Sequence, residues 1–598
     1  NREQIFNKET LVLNELSSAI DDTLMESKIF EAFVAGVDRV SAWADLLDSI
    51  NVFPVADGDT GRNLVISLQP LKQPFESLEE LIEALLMSAR GNSGNIAAQF
   101  FSAFVCIESF EELNDIAEQG RDLAWKAVRE PKSGTMLSIF DALVEALHHH
   151  DMVSDSDGID QVLYILEGVV FHTSEQLKEL ASAGVVDSGA LGMFIFFDGF
   201  FNVLFSRTVE FRSIAEIFEN LLHVNPAWRT DGDDGYCIDA VLKLGSGDTA
   251  DSLSAISQVG HEVVTMGHGD FVKVHLHASD EAGARRRLEG VGNLVNWKSD
   301  DLKAQTAEYL SMPKTQALHI MSDAAGSITR VDSKRLGITL LESYINLGPH
   351  SYPETHMDPE ELYEEMRKGT PASTAQASVF ERHQRYQQAA SLHPQTLYLC
   401  VGSGYTGNYQ TAMDWKTLND PDDKLLVVDT EAASGKLGLL AIATARFSLK
   451  AEDAVSVVKY AEKAQPLVEE LIFIEKLHYL ARGGRISKTG AFFGDMLHVK
   501  PVVSPASDGV KKVGVVRNKG QQINFALLKL KEALKGSKCP LIMLQYTDNR
   551  RLVEDEFKGA IESAFPWAEV FTQPLSLTTG THCGPGAWAM AYLTDVPV

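Results

Sequence analysis

The sequence predicts a chain of three parts: an all-α N-terminal domain, a small α+β middle domain, and an α/β C-terminal domain. Three observations predict it. Apolar residues recur at helical spacing over 9–205, with scarcely any strand-like alternation. Two alternating stretches appear between about 210 and 312. From about 316 onwards short apolar strands alternate with helical segments, the pattern of an at least partly parallel sheet covered by helices. The predicted bounds are 1–207, 208–312 and 313–598, and a length of 598 residues exceeds what one core supports.

In the first part, Leu78, Leu81, Ile82, Leu85 and Leu86 form one apolar helix face, and Ser77 with Glu80 reads as a capping box. Residues 139–147 and 162–171 and the apolar run from Ala190 to Phe205 also read as helices. The last contains Asp198 and falls short of a membrane span, so it reads as a buried helix. A helical bundle or barrel follows. His148, His149 and His150 fit a basic helix C-terminus before a solvated loop better than a metal tract. In the middle part, Tyr236–Leu244 and Phe271–His277 alternate as strands do, with a helix over 280–289. A short linker is expected over 311–315. In the last part, strands are expected over 317–321, 396–401, 425–429, 471–475 and 541–546, and a helix over 451–464.

Composition narrows the function classes. Apolar content of 45% and charged content of 23% are those of a globular protein. A formal charge of −30 argues against non-specific nucleic-acid binding and against an anionic membrane surface. Five scattered cysteines do not suggest a disulfide framework, and with no basic-then-apolar pattern at the start, a cytoplasmic protein is expected.

The chemistry is expected to begin at Asn51-Val-Phe-Pro-Val-Ala-Asp-Gly-Asp-Thr-Gly-Arg-Asn63. Asp57 and Asp59 flank a glycine, so two carboxylates can converge on one hard cation, which commonly shares its oxygen ligands with phosphate. Thr60 and Gly61 add a hydroxyl and a tight turn. An isolated Asp-Gly-Asp run is also an ordinary turn, and its companions decide between the two readings. These are Ala89-Arg-Gly-Asn-Ser-Gly94, Lys132-Ser-Gly-Thr135 and Val185-Val-Asp-Ser-Gly-Ala-Leu-Gly192. Each offers glycines and hydroxyls suited to phosphate, and together they favour a nucleotide·metal site.

These loops resemble, in order and spacing, the signature loops of the fatty acid kinase catalytic domain, within the dihydroxyacetone-kinase nucleotide-binding family. The resemblance covers about 1–205 and implies a barrel of antiparallel helices binding ATP through two Mg²⁺ ions. Asp57 and Asp59 would be ligands, with Asn51 as a third. Thr60, Asn63, Asn92, Ser93, Gly94, Thr135, Asp187 and Gly189 would hold or border the nucleotide, and the amides of Gly91 to Gly94 the phosphates. Arg62 departs from the small polar residue the family places there.

In the middle part, His275 and His277 share one face of a strand, and Cys237 lies on another. Such a set suits Zn²⁺, although distant Cys and His residues are commonly unrelated. The corresponding region of fatty acid kinases is similar and binds zinc through a Cys and a His-x-His pair, which implies Zn²⁺ here with an unassigned fourth ligand.

The last part carries Asp323-Ala-Ala-Gly-Ser327, Thr374-Ala-Gln376, Gly402-Ser-Gly-Tyr-Thr-Gly-Asn-Tyr-Gln410, Arg482-Gly-Gly-Arg-Ile486 and His582-Cys-Gly-Pro-Gly586. Hydroxyls, a guanidinium and an imidazole are what a carboxylate needs at the mouth of an apolar pocket. About 316–598 resembles the DegV family of fatty-acid-binding proteins, in which an acyl chain lies between two subdomains. The resemblance assigns the carboxylate to Thr374, Ser403 and Arg485, with His582 near the reacting oxygen. Tyr405, Asn408 and the Thr374-Ala-Gln-Ala377 run depart from the family's pattern.

The resulting expectation is an ATP-dependent fatty acid kinase with kinase and carrier in one chain. Asp57, Asp59, Arg485 and His582 would be its catalytic groups and an acyl phosphate its product. A homodimer and an acyltransferase receiving the product are the implied partners, without an integral membrane segment. The rivals are a dihydroxyacetone-type kinase and a lipid-binding regulator with a relic kinase domain.

Overall fold

The computed structural model of the chain describes residues 27–149, 158–207, 211–230, 234–245, 249–310, 316–482, 499–507 and 509–596. The chain divides into two units, Asn1–Ser311 and Met312–Val598.

In the first unit the described helices up to residue 207 are α1 (27–49), α2 (Thr60–Leu68), α3 (Leu78–Ser88), α4 (Gly91–Phe104), α5 (Leu113–Ala127), α6 (Met136–His149), α7 (Gly158–Gln176), α8 (Lys178–Ala183) and α9 (Ser188–Leu204). Packing runs from α2 to α4, α5, α6, α7 and α9 and returns from α9 to α2, so these helices close a ring. Phenylalanines fill it. Phe33 of α1, Phe100, Phe101 and Phe104 of α4, and Phe196 and Phe200 of α9 meet in edge-on and tilted pairs, a geometry that adds to simple area burial. Apolar residues surround α9 almost completely, as its composition predicts. Its one charge, Asp198, pairs with the fully buried Arg39, as a buried charge requires. Among the described residues no helix is long and apolar enough to cross a membrane.

Ser77 caps α3 by accepting from the Glu80 amide at 3.2 Å. The Glu80 carboxylate reaches back one residue further than a capping box requires, to the Glu76 amide at 2.9 Å.

The strands of this unit are β1 (Tyr236–Leu244), β2 (His261–His268), β3 (Phe271–Ala278) and β4 (Gly292–Asp301), ordered β2-β3-β1-β4 and antiparallel throughout. One face buries Ile238, Ala240, Leu242, Val272, Val274 and Leu276 with Leu288 of the helix Glu281–Glu289. The other face carries Cys237, Asp239, Lys273, His275 and His277, all buried, because the sheet lies against the helical region. Val128 at the end of α5 bridges Val264 of β2, and α4 packs on β1, β2 and β3.

The described residues of the second unit form three sheets. Strands β5 (His319–Asp323), β6 (Ile338–Leu341), β10 (Thr396–Cys400) and β11 (Leu425–Asp429) form a parallel sheet of order β11-β10-β5-β6. Strands β12 (Val468–Phe473), β13 (Lys500–Ala506), β14 (Gly509–Val516), β15 (Leu541–Tyr546), β16 (Glu569–Pro574) and β17 (Trp588–Leu593) form a mixed sheet of order β14-β13-β12-β17-β15-β16. The helix Ser434–Ser448 packs on both sheets, which explains why most of it is buried. A small antiparallel sheet, β8-β7-β9, consists of β7 (Ser343–Leu347), β8 (His350–Pro353) and β9 (Ala372–Gln376). The short helix Leu577–Cys583 packs on β7 and β9. The multidomain class expected from sequence is what the structure shows: helical, then small and stranded, then α/β.

Candidate active site

A cleft in the first unit gathers the loops that the sequence singles out. Asn51, Asp57 and Asp59 line it from the turn before α2, Thr60 from the first residue of α2, and Asn92 and Ser93 from the first turn of α4. Thr135 precedes α6, Asp187 and Gly189 begin α9, and Cys237, His275 and His277 come from the sheet.

Asn51 organises the turn. Its Nδ2 donates to Asp57 and to the Val55 carbonyl, and its Oδ1 accepts from Thr60 Oγ1 at 2.5 Å and Ser188 Oγ at 3.1 Å. The Asn51 amide oxygen thus meets two hydroxyl donors while its nitrogen holds Asp57. Burial pushes Asp57 well above the usual carboxylate range, and the Asp59 charge beside it adds to the shift. Burial also raises Asp59, against the Asn63 amide and the Arg62 guanidinium. Two half-buried carboxylates in contact cannot both ionise readily without a cation to neutralise them. Arg62 itself is exposed, its backbone amide donating to Asp48 at 3.1 Å.

The N-terminus of α4 meets the cleft with amides that have no intrahelical partner, a favourable place for phosphate. Gly91 has φ +59°, and a Cβ there would lie 2.2 Å from Asn63 Nδ2. Its amide is committed to Asp239 Oδ2 at 3.1 Å, which leaves the following amides for a ligand. Gly94 has a packing role: a Cβ would sit 2.1 Å from Ser67 Oγ of α2. Asn63 and Gly94 adjoin the residues that line the cleft, Asn63 bonded to Asp59. Thr135 bonds the Lys132 carbonyl at 2.8 Å. Asp187 caps α9 through the Ala190 amide at 2.7 Å, and burial raises it to about 7 against its backbone donors.

The ligand atoms of Cys237, His275 and His277 lie within 4.8 Å of one another. Antiparallel register explains this, since Cys237 faces His277 and Asp239 faces His275. His275 Nε2 and His277 Nδ1 are buried without a hydrogen-bond partner, a costly arrangement that a metal ion would relieve. Burial lowers His277 to about 3, helped by His275 and His261, so its imidazole is a neutral donor. Burial and nearby carboxylates push the Cys237 thiol well up. It would have to lose its proton on binding metal, as thiolate ligands do. The donor set and the orphaned nitrogens fit a zinc-like ion.

Asp239 is the residue that sequence reasoning missed. Its position two residues beyond Cys237 on the same strand face was the available signal. Only the pairing with β3 reveals that it faces His275.

In the second unit, Thr374 of β9 and His582 of the short helix meet, Thr374 Oγ1 to His582 Nε2 being 3.2 Å. Ser403 is exposed in the loop after β10, its amide on Asp429 at 3.1 Å. Arg485 lies outside the described residues, as does most of the run around it. Two of the departures, Tyr405 and Asn408, have structural partners. Tyr405 Oη donates to the Ala506 carbonyl at 2.7 Å and accepts from the Ala506 amide at 2.8 Å, pinning the β13–β14 hairpin. Asn408 donates to the buried Asp323 at 2.8 Å and accepts from Arg382 at 3.0 Å.

Comparison with known proteins divides the chain similarly. Residues 54–202 match the DAK2 domain, 233–309 the FakA-like middle domain of fatty acid kinases, and 317–595 the DegV family of uncharacterised proteins. An uncharacterized protein of Staphylococcus saprophyticus is 29% identical over 363 residues, 56% of this chain and 64% of that one. Protein YloV of Bacillus subtilis is 28% identical over 315 residues, 48% and 57% of the two chains. The chain thus spans about three fifths of the length of these relatives. Among solved structures, a DegV family protein from Thermus thermophilus described for fatty acid binding is 22% identical, with TM-score 0.44 over 47% of this chain and all of that one. The Streptococcus pneumoniae fatty acid kinase B3 protein loaded with linoleic acid is 16% identical, with TM-score 0.41 over 47% and 100%.

Proposed function

We propose, for a chain that joins a DAK2 domain, a FakA-like middle domain and a DegV domain, that it is an ATP-dependent fatty acid kinase carrying its own acyl-binding domain. The observation that carries the reading is the convergence of four separate loops, one of them bearing the Asp57–Asp59 pair, on one cleft, in a chain that also contains a DegV-family domain.

Asp57 and Asp59 would hold Mg²⁺, and Cys237, His275 and His277 would hold Zn²⁺. Bound Mg²⁺ supplies charge neutralisation for the transferring phosphoryl group. Asn51 keeps Asp57 aimed into the cleft, and the amides of Asn92 to Gly94 with the Ser93 hydroxyl would cradle phosphate oxygens. Thr374, Ser403 and Arg485 would bind the fatty acid carboxylate, with His582, bonded to Thr374, beside the reacting oxygen. One carboxylate oxygen forms a bond to the γ-phosphorus of ATP as the bond to the β-bridging oxygen breaks, giving an acyl phosphate and ADP. A fatty acid carboxylate is ionised at neutral pH, so positioning and charge stabilisation suffice without a strong base.

The reading is tested by incubating the protein with labelled ATP, Mg²⁺ and either oleate or dihydroxyacetone, and trapping product with hydroxylamine. An oleate-dependent hydroxamate is expected. Phosphorylation of dihydroxyacetone alone would replace this reading with the small-molecule kinase. No turnover, with lipid still bound to the purified protein, would make the chain a lipid-binding protein.

A further inference from the structure

The buried carboxylate of Asp239 joins two parts of the cleft that come from distant stretches of chain. Its Oδ2 accepts from the Gly91 amide at 3.1 Å, at the first turn of α4. Its Oδ1 accepts from Asn95 Nδ2 at 3.2 Å, one turn further along the same helix. That same Oδ1 lies 3.2 Å from His275 Nδ1, and Lys273 Nζ approaches it at 3.9 Å. Asn95 also donates to the Gly91 carbonyl at 2.7 Å, so the first turn of α4 is tied at both ends.

This geometry fixes the His275 tautomer. A carboxylate oxygen only accepts, so the Nδ1 facing it carries the proton and Nε2 is left with its lone pair. Nε2 is buried and partnerless, and His275 offers a ring nitrogen within 4.8 Å of the ligand atoms of Cys237 and His277. Carboxylate, imidazole and metal position in line form the arrangement by which an outer carboxylate orients a metal-binding histidine.

We propose that Asp239 is a positioning residue that couples the Cys237–His275–His277 metal centre to the phosphate-binding turn of α4, so that metal at the first tightens nucleotide binding at the second. The inference rests on the reading of the triad as a zinc site and of the α4 turn as a phosphate site. Coupling between binding sites is reciprocal, so nucleotide also tightens metal binding. Metal drawing on His275 orients its ring against Asp239, which in turn holds Gly91 and Asn95 in place for the amides that follow.

The test uses the full chain, zinc ion alone, and a fluorescent non-hydrolysable ATP analogue with saturating Mg²⁺. Zinc affinity is measured by competition with a chromogenic chelator, and nucleotide affinity in zinc-loaded and zinc-stripped protein. Wild-type protein is expected to bind one zinc per chain, lost in Cys237→Ser, and to bind the analogue at least about fivefold more weakly once stripped. Asp239→Asn is expected to bind zinc about 10- to 100-fold more weakly. Its analogue affinity should be the weakened one even at saturating zinc, with no further change on stripping. Unchanged zinc affinity in Asp239→Asn, or an equal response to stripping in variant and wild type, overturns the coupling alone. If Asp239→Asn does not fold, equal analogue affinity in loaded and stripped wild type overturns it. Wild-type protein that takes up no zinc overturns the metal reading and the coupling with it.

Discussion

Asn51 shows how one amide can tie a whole turn together. Two hydroxyls meet its oxygen, while its nitrogen holds Asp57 and the Val55 carbonyl. Asn51→Ala would leave Thr60 and Ser188 without their acceptor and Asp57 without its guide. Loss of about 1–3 kcal/mol of stability is expected in urea denaturation, with a higher Mg²⁺ concentration needed for half-maximal turnover. A second residue gives a pH signature in the other unit. Burial holds His319 well below its ordinary 6.5, and the stacked His393 adds to this. The folded chain therefore refuses a proton that the unfolded chain accepts, and stability present above pH 6.5 is lost as pH falls below it. The slope contributed by one such group approaches about 1.4 kcal/mol per pH unit. His319→Gln should flatten it in urea midpoints measured from pH 7 down to 5; an unchanged slope would remove His319 as its source.

At the scale of elements, α4 is positioned by contacts too close for a side chain. Gly94 lets it approach α2 until a Cβ would sit 2.1 Å from Ser67 Oγ. Gly94→Ala should cost about 1–3 kcal/mol and weaken nucleotide binding, because the shifted helix carries the turn proposed to bind phosphate. Ser67→Ala combined with it should recover part of both losses in paired melts and nucleotide titrations.

Elements with a clear local pattern were legible in the sequence. The strands β1, β11 and β15 fall where alternation or a short apolar run placed them, and α9 is the buried helix its composition predicts. Others carried no such pattern. Burial along β14 follows neither simple alternation nor a continuous apolar run. The residues of β7, β8 and β9 become a sheet through pairing alone. The candidate site divides in the same way. Its loops announced themselves through glycines, acids and hydroxyls in short runs. The role of Asp239 depends on a register between residues 36 positions apart, and long-range register is not written in local composition.

On the scale of the whole molecule, two units of nearly equal size carry the two halves of the proposed reaction. A covalent link makes their encounter intramolecular, with an effective concentration that dilution does not change. The intact chain should therefore keep constant specific activity on dilution. Separately expressed 1–311 and 312–598, mixed, should show a rate that falls with the concentration of each. A dilution-dependent intact chain would instead place the transfer between two copies.

In the proposed reaction the Asp57–Asp59 cleft transfers phosphate to a fatty acid carboxylate. Its most direct measurement is formation of hydroxylamine-trapped acyl phosphate from labelled ATP and oleate, compared between wild type and Asp57→Asn at saturating Mg²⁺. Oleate-dependent product in the wild type, reduced at least about 100-fold in the variant (about 2.7 kcal/mol of barrier) with the fold intact by circular dichroism, is the predicted result. Equal product from both proteins would contradict it.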